Sequence, residues 1–250
     1  MGTVLVTGSS GKIGSPVVAA LRRRGDDVRS FDLVDGDDLR DPVAVAAAVD
    51  GCDAVVHAGV LPQKRDAEGA TMAATNIDGT RHVLDAAERA GVARLVFFSS
   101  NWVFGFLDDG RDPDYLPVDD EHPRRAGLPY GMSKVAGEDL CAAWSERTGR
   151  PTVVLRPVRV VDDREMAALP PAWAQRPWVH IDDVVAAVRA ALDRDVPLHT
   201  RALLSASGPY DTSVAQQVLG WTPVHRWRNR PVRRGLGRAY RGVRRRLLRR

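Results

Sequence analysis

The stretch Thr7-Gly8-Ser9-Ser10-Gly11-Lys12-Ile13-Gly14 decides the fold of this chain. An apolar, β-branched run at residues 3–6 precedes it and predicts a buried strand. An apolar helical pattern at residues 17–21 follows it and ends in three arginines and a glycine, which are typical of a helix C-terminus. A glycine-rich turn between a strand and a helix can hold a pyrophosphate on the first N–H groups of the helix, so the stretch predicts dinucleotide binding.

Each glycine of this loop has an expected task. Gly8 takes the tight turn, Gly11 lets the backbone approach the pyrophosphate, and Gly14 lets the helix and the strand pack closely. Lys12 is expected to be a solvent-facing or phosphate-adjacent cation with no part in catalysis. The predicted cofactor-binding residues of the loop are Gly8, Ser10, Gly11, Lys12, Ile13 and Gly14.

An acid follows the second predicted strand, residues 27–31, at about 20 residues beyond the loop. Asp32 at that position can accept the hydroxyls of an adenosine ribose, and its charge would repel a 2′-phosphate. The sequence therefore favours NAD over NADP as the cofactor. The alternative is a turn aspartate in Asp32-Leu33-Val34-Asp35-Gly36, and the glycine loop makes us prefer the ribose interpretation.

The composition indicates a globular protein. Of the 250 residues 44% are hydrophobic and 27% are charged, and no apolar run approaches the ~20 residues that span a bilayer. The chain begins directly on a strand, so we expect no signal peptide and a cytoplasmic protein. Cys52 and Cys141 have no metal-ligand spacing, and we predict no metal site.

The net charge of +4 comes from the end of the chain. Residues 226–250 hold twelve arginines and no acid, which leaves the other 225 residues at a net charge of −8, so no specific nucleic-acid binding is predicted. Apolar residues recur in this tail at steps of four and three, at Val232, Leu236, Tyr240, Val243 and Leu247. The pattern predicts a basic amphipathic helix for an anionic membrane surface or an acidic partner, which would make the protein peripheral to the membrane. A solvated tail, or a helix docked on this protein's own acidic body, is an equal alternative.

The rest of the chain alternates predicted strands with predicted helices. Further strands are expected at residues 53–59, 94–98, 152–155, 178–181 and 202–204, and helices at residues 42–49, 72–90, 130–147, 182–194 (capped by Asp182 and Asp183) and 214–219. This order predicts an α/β fold with a doubly wound parallel Rossmann sheet, whose ligand lies beyond the carboxyl ends of the strands. The predicted division is residues 1–156 as the NAD-binding core with the catalytic helix, 157–225 as a small C-terminal substrate-binding portion interleaved with it, and 226–250 as the basic helical tail.

Two residues of the helix at 130–147 suggest the chemistry. Tyr130 and Lys134 lie at positions i and i+4, one above the other on one helix face. A free tyrosine has a pKa near ~10, and a cation about 4 Å away contributes roughly the ~4 kcal/mol that lowers it by about three units. Ser100, at the end of the fourth strand, can hydrogen-bond the same substrate oxygen. A chance pair on a helix is the alternative, and the serine and the glycine loop argue against it.

These motifs resemble those of the extended short-chain dehydrogenase/reductases, the NAD-dependent epimerase/dehydratase group. From residue 3 to about 223, the matching stretches are Thr7-Gly8-x-x-Gly11-x-x-Gly14, Asp32, Asp38-Leu39, His57-Ala58-Gly59, Asn76 with Gly79-Thr80, Ser99-Ser100 before Val103-Phe104-Gly105, Tyr130-x-x-x-Lys134, Leu155-Arg156-Pro157, Val179-His180-Ile181-Asp182-Asp183 and Leu219-Gly220-Trp221-Thr222-Pro223. The resemblance implies that Tyr130 is the general base, that Lys134 tunes it and holds the nicotinamide ribose, and that Ser100 binds the reacting oxygen. It also implies cofactor contacts from Asp38, Leu39, Ala58, Gly59, Asn76, Tyr130, Lys134 and Pro157.

The segment after Pro157 departs from the family pattern and is short, since only about twenty residues separate it from His180. Members that act on nucleotide sugars usually carry a longer C-terminal portion, which suggests a compact member that acts on a free sugar acid. Residues 99–105 are similar to uronate dehydrogenases, and by that resemblance Arg164, or else Arg159, clamps a substrate carboxylate. The alternative is that both arginines pair on the surface with Asp162, Asp163 or Glu165.

The predicted function is that of an NAD-dependent oxidoreductase or epimerase acting on a secondary hydroxyl of a sugar, sugar acid or nucleotide sugar. The predicted substrate-binding residues are Ser100, Asn101, Arg159 and Arg164, where Asn101 either bonds the substrate or caps the strand end. A homodimer is also expected. The alternative function is a non-catalytic dinucleotide-binding protein, regulatory or membrane-tethered, that acts through its basic tail.

Overall fold

The computed structural model describes residues 2–62 and 69–226. Within them, six parallel strands form the main sheet in the order β2-β1-β3-β4-β5-β8, and β6 pairs with β7 in a second, two-stranded sheet. The strands are β1 (Thr3–Thr7), β2 (Asp27–Phe31), β3 (Ala54–His57), β4 (Arg94–Phe98), β5 (Thr152–Pro157), β6 (Arg159–Val161), β7 (Trp178–His180) and β8 (His199–Leu204). The helices are α1 (Gly14–Arg24), α2 (Pro42–Val49), α3 (Gly69–Ala73), α4 (Gly79–Arg89), α5 (Phe106–Asp109), α6 (Pro129–Thr148), α7 (Asp163–Ala168), α8 (Ile181–Asp193) and α9 (Ser213–Leu219).

Helices cover both faces of the main sheet. Val4 and Val6 of β1 pack on one face with α1, α8 and α9, and Leu5 packs on the other face with α2, α4 and α6. Successive side chains of a strand alternate between faces, so a parallel sheet covered on both sides needs apolar residues at nearly every strand position. The predicted doubly wound parallel sheet is confirmed.

The helix predicted at residues 72–90 begins earlier and is not uniform. It starts at Gly69, and a π turn at Ala74–Asp78 separates α3 from α4. A π turn accommodates an extra residue within a helix and is common at functional sites. This turn carries Asn76 towards the loop that follows β3.

The helix predicted at residues 182–194 is the observed α8, and its cap differs from the prediction. His180 is the N-cap, because its Nδ1 accepts the backbone N–H of Asp182 over 3.2 Å. Asp182 and Asp183 instead lie in the first turn, where negative charge is favourable next to the helix dipole. The predicted caps were therefore wrong, although the acids do stabilise that helix end.

The portion after residue 157 contains two elements that the pattern missed, β6 and α7. It returns to the main sheet, because β8 pairs with β5 along its whole length. The division at residue 157 stays a prediction, and the predicted tail helix beyond Arg226 lies outside the described residues. None of the described helices combines the length and the apolar character needed to cross a bilayer.

Candidate active site

The glycine loop after β1 is held by backbone contacts that leave no room for side chains. Gly8 adopts a left-handed conformation (φ 66°), and its N–H donates to the Phe31 carbonyl over 2.8 Å. A Cβ on Gly8 would lie 2.7 Å from Gly59, and one on Gly14 would lie 2.0 Å from the Gly8 carbonyl oxygen. These two positions require glycine for the turn and for close packing, as the sequence predicts.

The Asp32 carboxylate accepts hydrogen bonds from both the glycine loop and the turn that follows β2. Its Oδ2 accepts the N–H of Ser10 over 2.9 Å, and its Oδ1 accepts the N–H of Val34 over 3.1 Å. The turn-aspartate interpretation therefore holds. It does not exclude the ribose interpretation, since each carboxylate oxygen has a second lone pair for another donor.

A cavity of about 240 Å³ lies beside the loop. Five predicted cofactor residues line it, namely Gly8, Asp32, Asp38, Leu39 and Gly59. Arg40 also lines it, and its guanidinium holds the pKa of the Asp38 carboxyl below the usual range through a direct hydrogen bond. Sequence reasoning missed Arg40, for which no motif gives a signal.

The loop and the cavity fit a dinucleotide. The side-chain hydroxyl of Ser9 is buried in the loop and has no hydrogen-bond partner within the described part of the chain. No side chain caps the N-terminus of α1 at Ile13, which leaves this helix end open to an anion, although the N–H of Ser15 already donates to the Gly11 carbonyl oxygen over 3.0 Å. A Cβ on Gly11 would meet only the Gly8 carbonyl oxygen, at 3.1 Å, which leaves the approach to the backbone open. The residues present therefore suit a pyrophosphate at the loop and an adenosine in the cavity.

Ser100, Tyr130 and Lys134 come together at the carboxyl edge of the sheet. Tyr130 lies in the first turn of α6, and the Nζ of Lys134, one turn further on, lies 5.7 Å from the centre of its ring. Lys134 is buried and donates to the carbonyl oxygen of Phe98 over 2.6 Å. Ser100 lies two residues beyond the end of β4, next to the hydroxyl of Tyr130. The structure thus assembles the predicted catalytic set, whose roles stay predictions.

Burial sets the protonation of this pair. Loss of hydration raises the pKa of Tyr130 to about 12, and the hydrogen bond with Ser100 opposes the rise only in part. Loss of hydration likewise lowers the pKa of Lys134 to about 7. The expected lowering of the Tyr130 pKa by Lys134 is therefore not seen in the protein by itself, because desolvation is the largest influence on the Tyr130 hydroxyl.

A buried ion pair fixes α6 against the sheet. Arg156 of β5 donates to both carboxylate oxygens of Glu138 over 2.8 and 2.7 Å, and the Ser99 hydroxyl donates to one of them over 2.6 Å. Arg156 also donates to the carbonyl oxygen of Asp120 over 2.7 Å. The sequence analysis assigned no role to Glu138, although it continues the helical spacing of the tyrosine and the lysine at i+8. This ion pair joins α6 to β5 and to the end of β4. It therefore fixes the position of the helix that carries Tyr130 and Lys134.

His57 and Asn76 bond other parts of the protein. Both ring nitrogens of His57 bond threonine hydroxyls, at 2.6 and 2.9 Å, and burial lowers its pKa to about 3, so it is a neutral, fully bonded residue. The Asn76 side chain bonds the backbone N–H and C=O of Leu61 and the hydroxyl of Ser133 on α6. Asn76 therefore links the loop after β3 to α6, the helix that carries Tyr130 and Lys134. Its cofactor contact stays a prediction, as do those of Ala58, which follows β3, and Pro157, which ends β5.

Asn101 faces a tyrosine that the sequence did not single out. Its Nδ2 donates to the hydroxyl of Tyr210 over 3.4 Å. It does not cap the strand end, because Ser100 does so by accepting the N–H of Trp102 over 3.3 Å. Asn101 thus lies beside Ser100 and has a polar neighbour, Tyr210, that is distant in the sequence.

The two candidate carboxylate-binding arginines do not pair with their neighbouring acids. Glu165 instead pairs with Lys12 of the glycine loop, at 2.6 Å, and Asp162 caps α7. Arg164 lies exposed in the first turn of α7, and its side chain has no hydrogen-bond partner among residues 2–62 and 69–226. Arg159 packs on the ring of Trp173, at 4.4 Å from its centre. The surface-pairing alternative is therefore not seen in the described residues.

A histidine cluster lies near the cap of α8. His180, Asp182 and His225 bring possible ligand atoms within 4.8 Å of one another. The two imidazole rings stack at 3.9 Å and 19°, which points their lone pairs side by side instead of at one centre. The nitrogen Nδ1 of His225 is bonded to Asp183 at 2.9 Å. The prediction of no metal site stays a prediction.

A parallel α/β sheet with a glycine loop after β1 and a serine, tyrosine and lysine at its carboxyl edge defines a Rossmann-type dinucleotide enzyme. The model of the NAD dependent epimerase/dehydratase family matches residues 4–173. The chain belongs to that family. The predicted family, enzyme class and NAD cofactor are confirmed at this level.

Individual relatives carry more specific names. A uronate dehydrogenase of Pseudomonas syringae pv. tomato is 34% identical over 165 residues, which cover 61% of this chain and 58% of that protein. An L-arabinose 1-dehydrogenase (NAD(P)(+)) of Haloferax volcanii is 30% identical over 252 residues, covering 89% of this chain and 96% of that protein. A short-chain dehydrogenase/reductase superfamily protein from Agrobacterium tumefaciens, solved with bound NAD, has a TM-score of 0.78 at 26% identity and covers 88% of this chain and 92% of that one. The alignment thus spans less than two thirds of the uronate dehydrogenase.

Proposed function

We propose that this protein is an NAD-dependent dehydrogenase that oxidises a secondary hydroxyl of a sugar acid. The observation that carries the proposal is the set of a half-buried Tyr130 with the buried Ser100 and Lys134, at the same sheet edge as the dinucleotide cavity. Similarity to a uronate dehydrogenase and to an arabinose dehydrogenase supports a small, free sugar substrate. The short segment between β5 and β7 supports it too, since a nucleotide would need a larger enclosure.

Ser100, Tyr130 and Lys134 have separate roles in the proton transfer. Ser100 donates to the substrate hydroxyl oxygen and orients it towards Tyr130, whose phenolate takes the hydroxyl proton. Because burial raises the pKa of Tyr130 to about 12, the phenolate needs a cation nearby, and a protonated Lys134 is the nearest that the site holds. The two titrations are coupled, since a charge on either group favours the charge on the other. Bound NAD supplies the hydride acceptor.

The cofactor is held by the glycine loop and by the cavity beside it. Backbone N–H groups of residues 12–14 face the pyrophosphate, Asp32 accepts the ribose hydroxyls, and Asp38 with Leu39 borders the adenine. Lys134 holds the nicotinamide ribose in addition to tuning the tyrosine. The predicted contacts of Asn76 and Pro157 belong to the same proposal.

The test is whether NADH accumulates. Purified protein is incubated with NAD and, separately, D-glucuronate, D-galacturonate, L-arabinose, UDP-glucose and UDP-glucuronate, and NADH absorbance is followed together with sugar chromatography. The proposal expects NADH in amounts equal to the sugar acid consumed. Interconversion of a UDP-sugar without net NADH would establish the epimerase alternative and overturn the proposal.

The alternative function uses the dinucleotide without chemistry. It predicts that a variant lacking residues 226–250 loses its biological activity while Tyr130→Phe retains it, and the dehydrogenase proposal predicts the reverse. The homodimer, the anionic membrane surface or acidic partner of the tail, and the cytoplasmic location also stay predictions. Light scattering and vesicle co-sedimentation of the full chain test the first two.

A further inference from the structure

Two arginines share one indole ring beyond the carboxyl edge of the sheet. The guanidinium carbon of Arg159 lies 4.4 Å from the ring centre of Trp173, and that of Arg176 lies 4.3 Å from it. A guanidinium within about 6 Å of an aromatic ring is attracted to its face. Both arginines are exposed and the tryptophan is half-buried, so the indole holds two solvent-facing cations in place.

These two positive charges have no acidic partner. Within residues 2–62 and 69–226, neither Arg159 nor Arg176 forms an ion pair, whereas the acids that follow β6 are engaged elsewhere. Two like charges beside one ring repel each other unless an anion lies between or above them. Guanidinium groups suit planar, bidentate anions such as carboxylate and phosphate, and stacking on a ring removes part of the entropy cost of ordering them.

The pair lies on the side of the molecule that carries the catalytic set. Arg159 begins β6, two residues after the carboxyl end of β5. The carbonyl oxygen of Arg176 accepts the hydroxyl of Ser207, in the loop that leaves the carboxyl end of β8. Three residues further along this loop, Tyr210 bonds Asn101, the neighbour of the catalytic serine. Three residues span at most about 10 Å between their Cα atoms, so this short loop connects the segment that carries Arg176 to the segment that contacts Asn101.

We propose that Arg159 and Arg176, held by Trp173, form an anion-binding subsite that takes the carboxylate or phosphate end of the substrate. The subsite rests on the proposed function for the identity of the substrate, but the binding itself does not require turnover. It adds Arg176 and Trp173 to the recognition of the substrate, and it separates Arg159 from Arg164, which has no comparable support.

Kinetics with charged and neutral substrates test the proposal. The value of kcat/KM is measured for D-glucuronate and for D-glucose, which differ in the carboxylate, and for UDP-glucose, which adds phosphate without a carboxylate. In Arg176→Gln, the ratio of kcat/KM for the anionic substrate over that for glucose should fall roughly 10- to 100-fold, because one charge-assisted hydrogen bond is lost. The matched control is Arg189→Gln, which removes an exposed arginine of α8 and should leave this ratio unchanged.

The outcomes separate a recognition role from a packing role. A fall in kcat/KM that is equal for glucuronate and glucose would mean that Arg176 only supports the local fold, and an unchanged ratio would mean that the substrate does not reach it. Either result overturns the proposal. A ratio that falls for UDP-glucose and not for glucuronate assigns the subsite to phosphate, and the reverse assigns it to carboxylate.

Direct binding covers the case in which no sugar is oxidised. D-glucuronate and inorganic phosphate are titrated by calorimetry into the full chain with saturating NADH, for the wild type and for Arg159→Gln/Arg176→Gln. The subsite is supported if the wild type binds one of these probes at least ten times more tightly than the double variant, even if the proposed function fails. It is contradicted if neither probe binds at millimolar concentration, or if the double variant binds equally well.

Discussion

Replacement of Lys134 by methionine should stabilise the protein. Lys134 is 2% exposed, and burial lowers its pKa from 10.5 to about 7. At about 1.4 kcal/mol per pKa unit, holding this lysine in the folded protein at pH 7 costs up to about 4 kcal/mol. Methionine has a similar shape and no charge, and it forfeits a hydrogen bond to Phe98 worth about 1 kcal/mol. Lys134→Met should therefore raise the free energy of unfolding by about 3 kcal/mol.

The dependence on pH follows from the sign of the shift. The folded pKa lies below the unfolded one, so between pH 7 and 10.5 the unfolded chain binds more protons. The stability of the wild type consequently rises with pH in this window and falls as the pH returns towards 7. Lys134→Met lacks this pH-dependent contribution to stability. Its free energy of unfolding should therefore exceed that of the wild type by about 2 kcal/mol less at pH 9 than at pH 7.

Urea unfolding at pH 7 and at pH 9, followed by tryptophan fluorescence, measures both quantities. The control is Lys12→Met, the same chemical change at a half-exposed lysine, which should shift stability by less than about 1 kcal/mol at either pH. Equal stability differences for Lys134→Met at the two pH values, or destabilisation at both, would refute the assignment of a buried lysine with a lowered pKa. NADH formation by the folded variant should be lost.

Three further substitutions address the cofactor site and its support. Asp32→Ser should weaken NADH binding about tenfold and reduce the preference for NADH over NADPH in fluorescence titrations, because the ribose loses a charged acceptor. Gly137→Ala should cost about 1–3 kcal/mol in urea unfolding, since a Cβ there would lie 2.4 Å from the Phe97 ring. Burial raises the pKa of Asp120 to about 7, so its protonated form stabilises the fold at acid pH and this contribution is lost as the pH rises through 7. The free energy of unfolding of Asp120→Asn, relative to that of the wild type, should therefore be about 2 kcal/mol more favourable at pH 8 than at pH 5 in urea unfolding. A difference between the two proteins that is the same at both pH values would contradict this.

Features that depend on neighbouring residues could be predicted from the sequence. The glycine loop needs only a strand, a tight turn and a helix in order, and the positive φ of Gly8 follows from that geometry. Tyr130 and Lys134 share a helix face because of their spacing alone. The alternation of strands and helices then brings the loop, Asp32 and Ser100 to one edge, since all the strands are parallel.

Features that depend on packing between distant segments could not be predicted. Lys12 and Glu165 are 153 positions apart, and nothing local indicates that the glycine loop is tied to α7. The bond between Asn101 and Tyr210 spans 109 positions. The pKa of Tyr130 depends on how completely the folded chain excludes water from it, and a helical spacing carries no information about hydration.

The direct test of the central claim is single-turnover NADH formation by Tyr130→Phe. This variant keeps the ring, which packs edge-on against Trp102 at 6.0 Å, and removes only the hydroxyl. Tyr115→Phe is the matched control, because Tyr115 is exposed and bonds Asp119 away from the proposed catalytic residues. With saturating NAD and D-glucuronate, we expect Tyr130→Phe to bind NADH like the wild type and to form NADH about 10²- to 10⁴-fold more slowly, while Tyr115→Phe forms it at the wild-type rate. A rate for Tyr130→Phe within tenfold of the wild type would contradict the assignment of Tyr130 as the base.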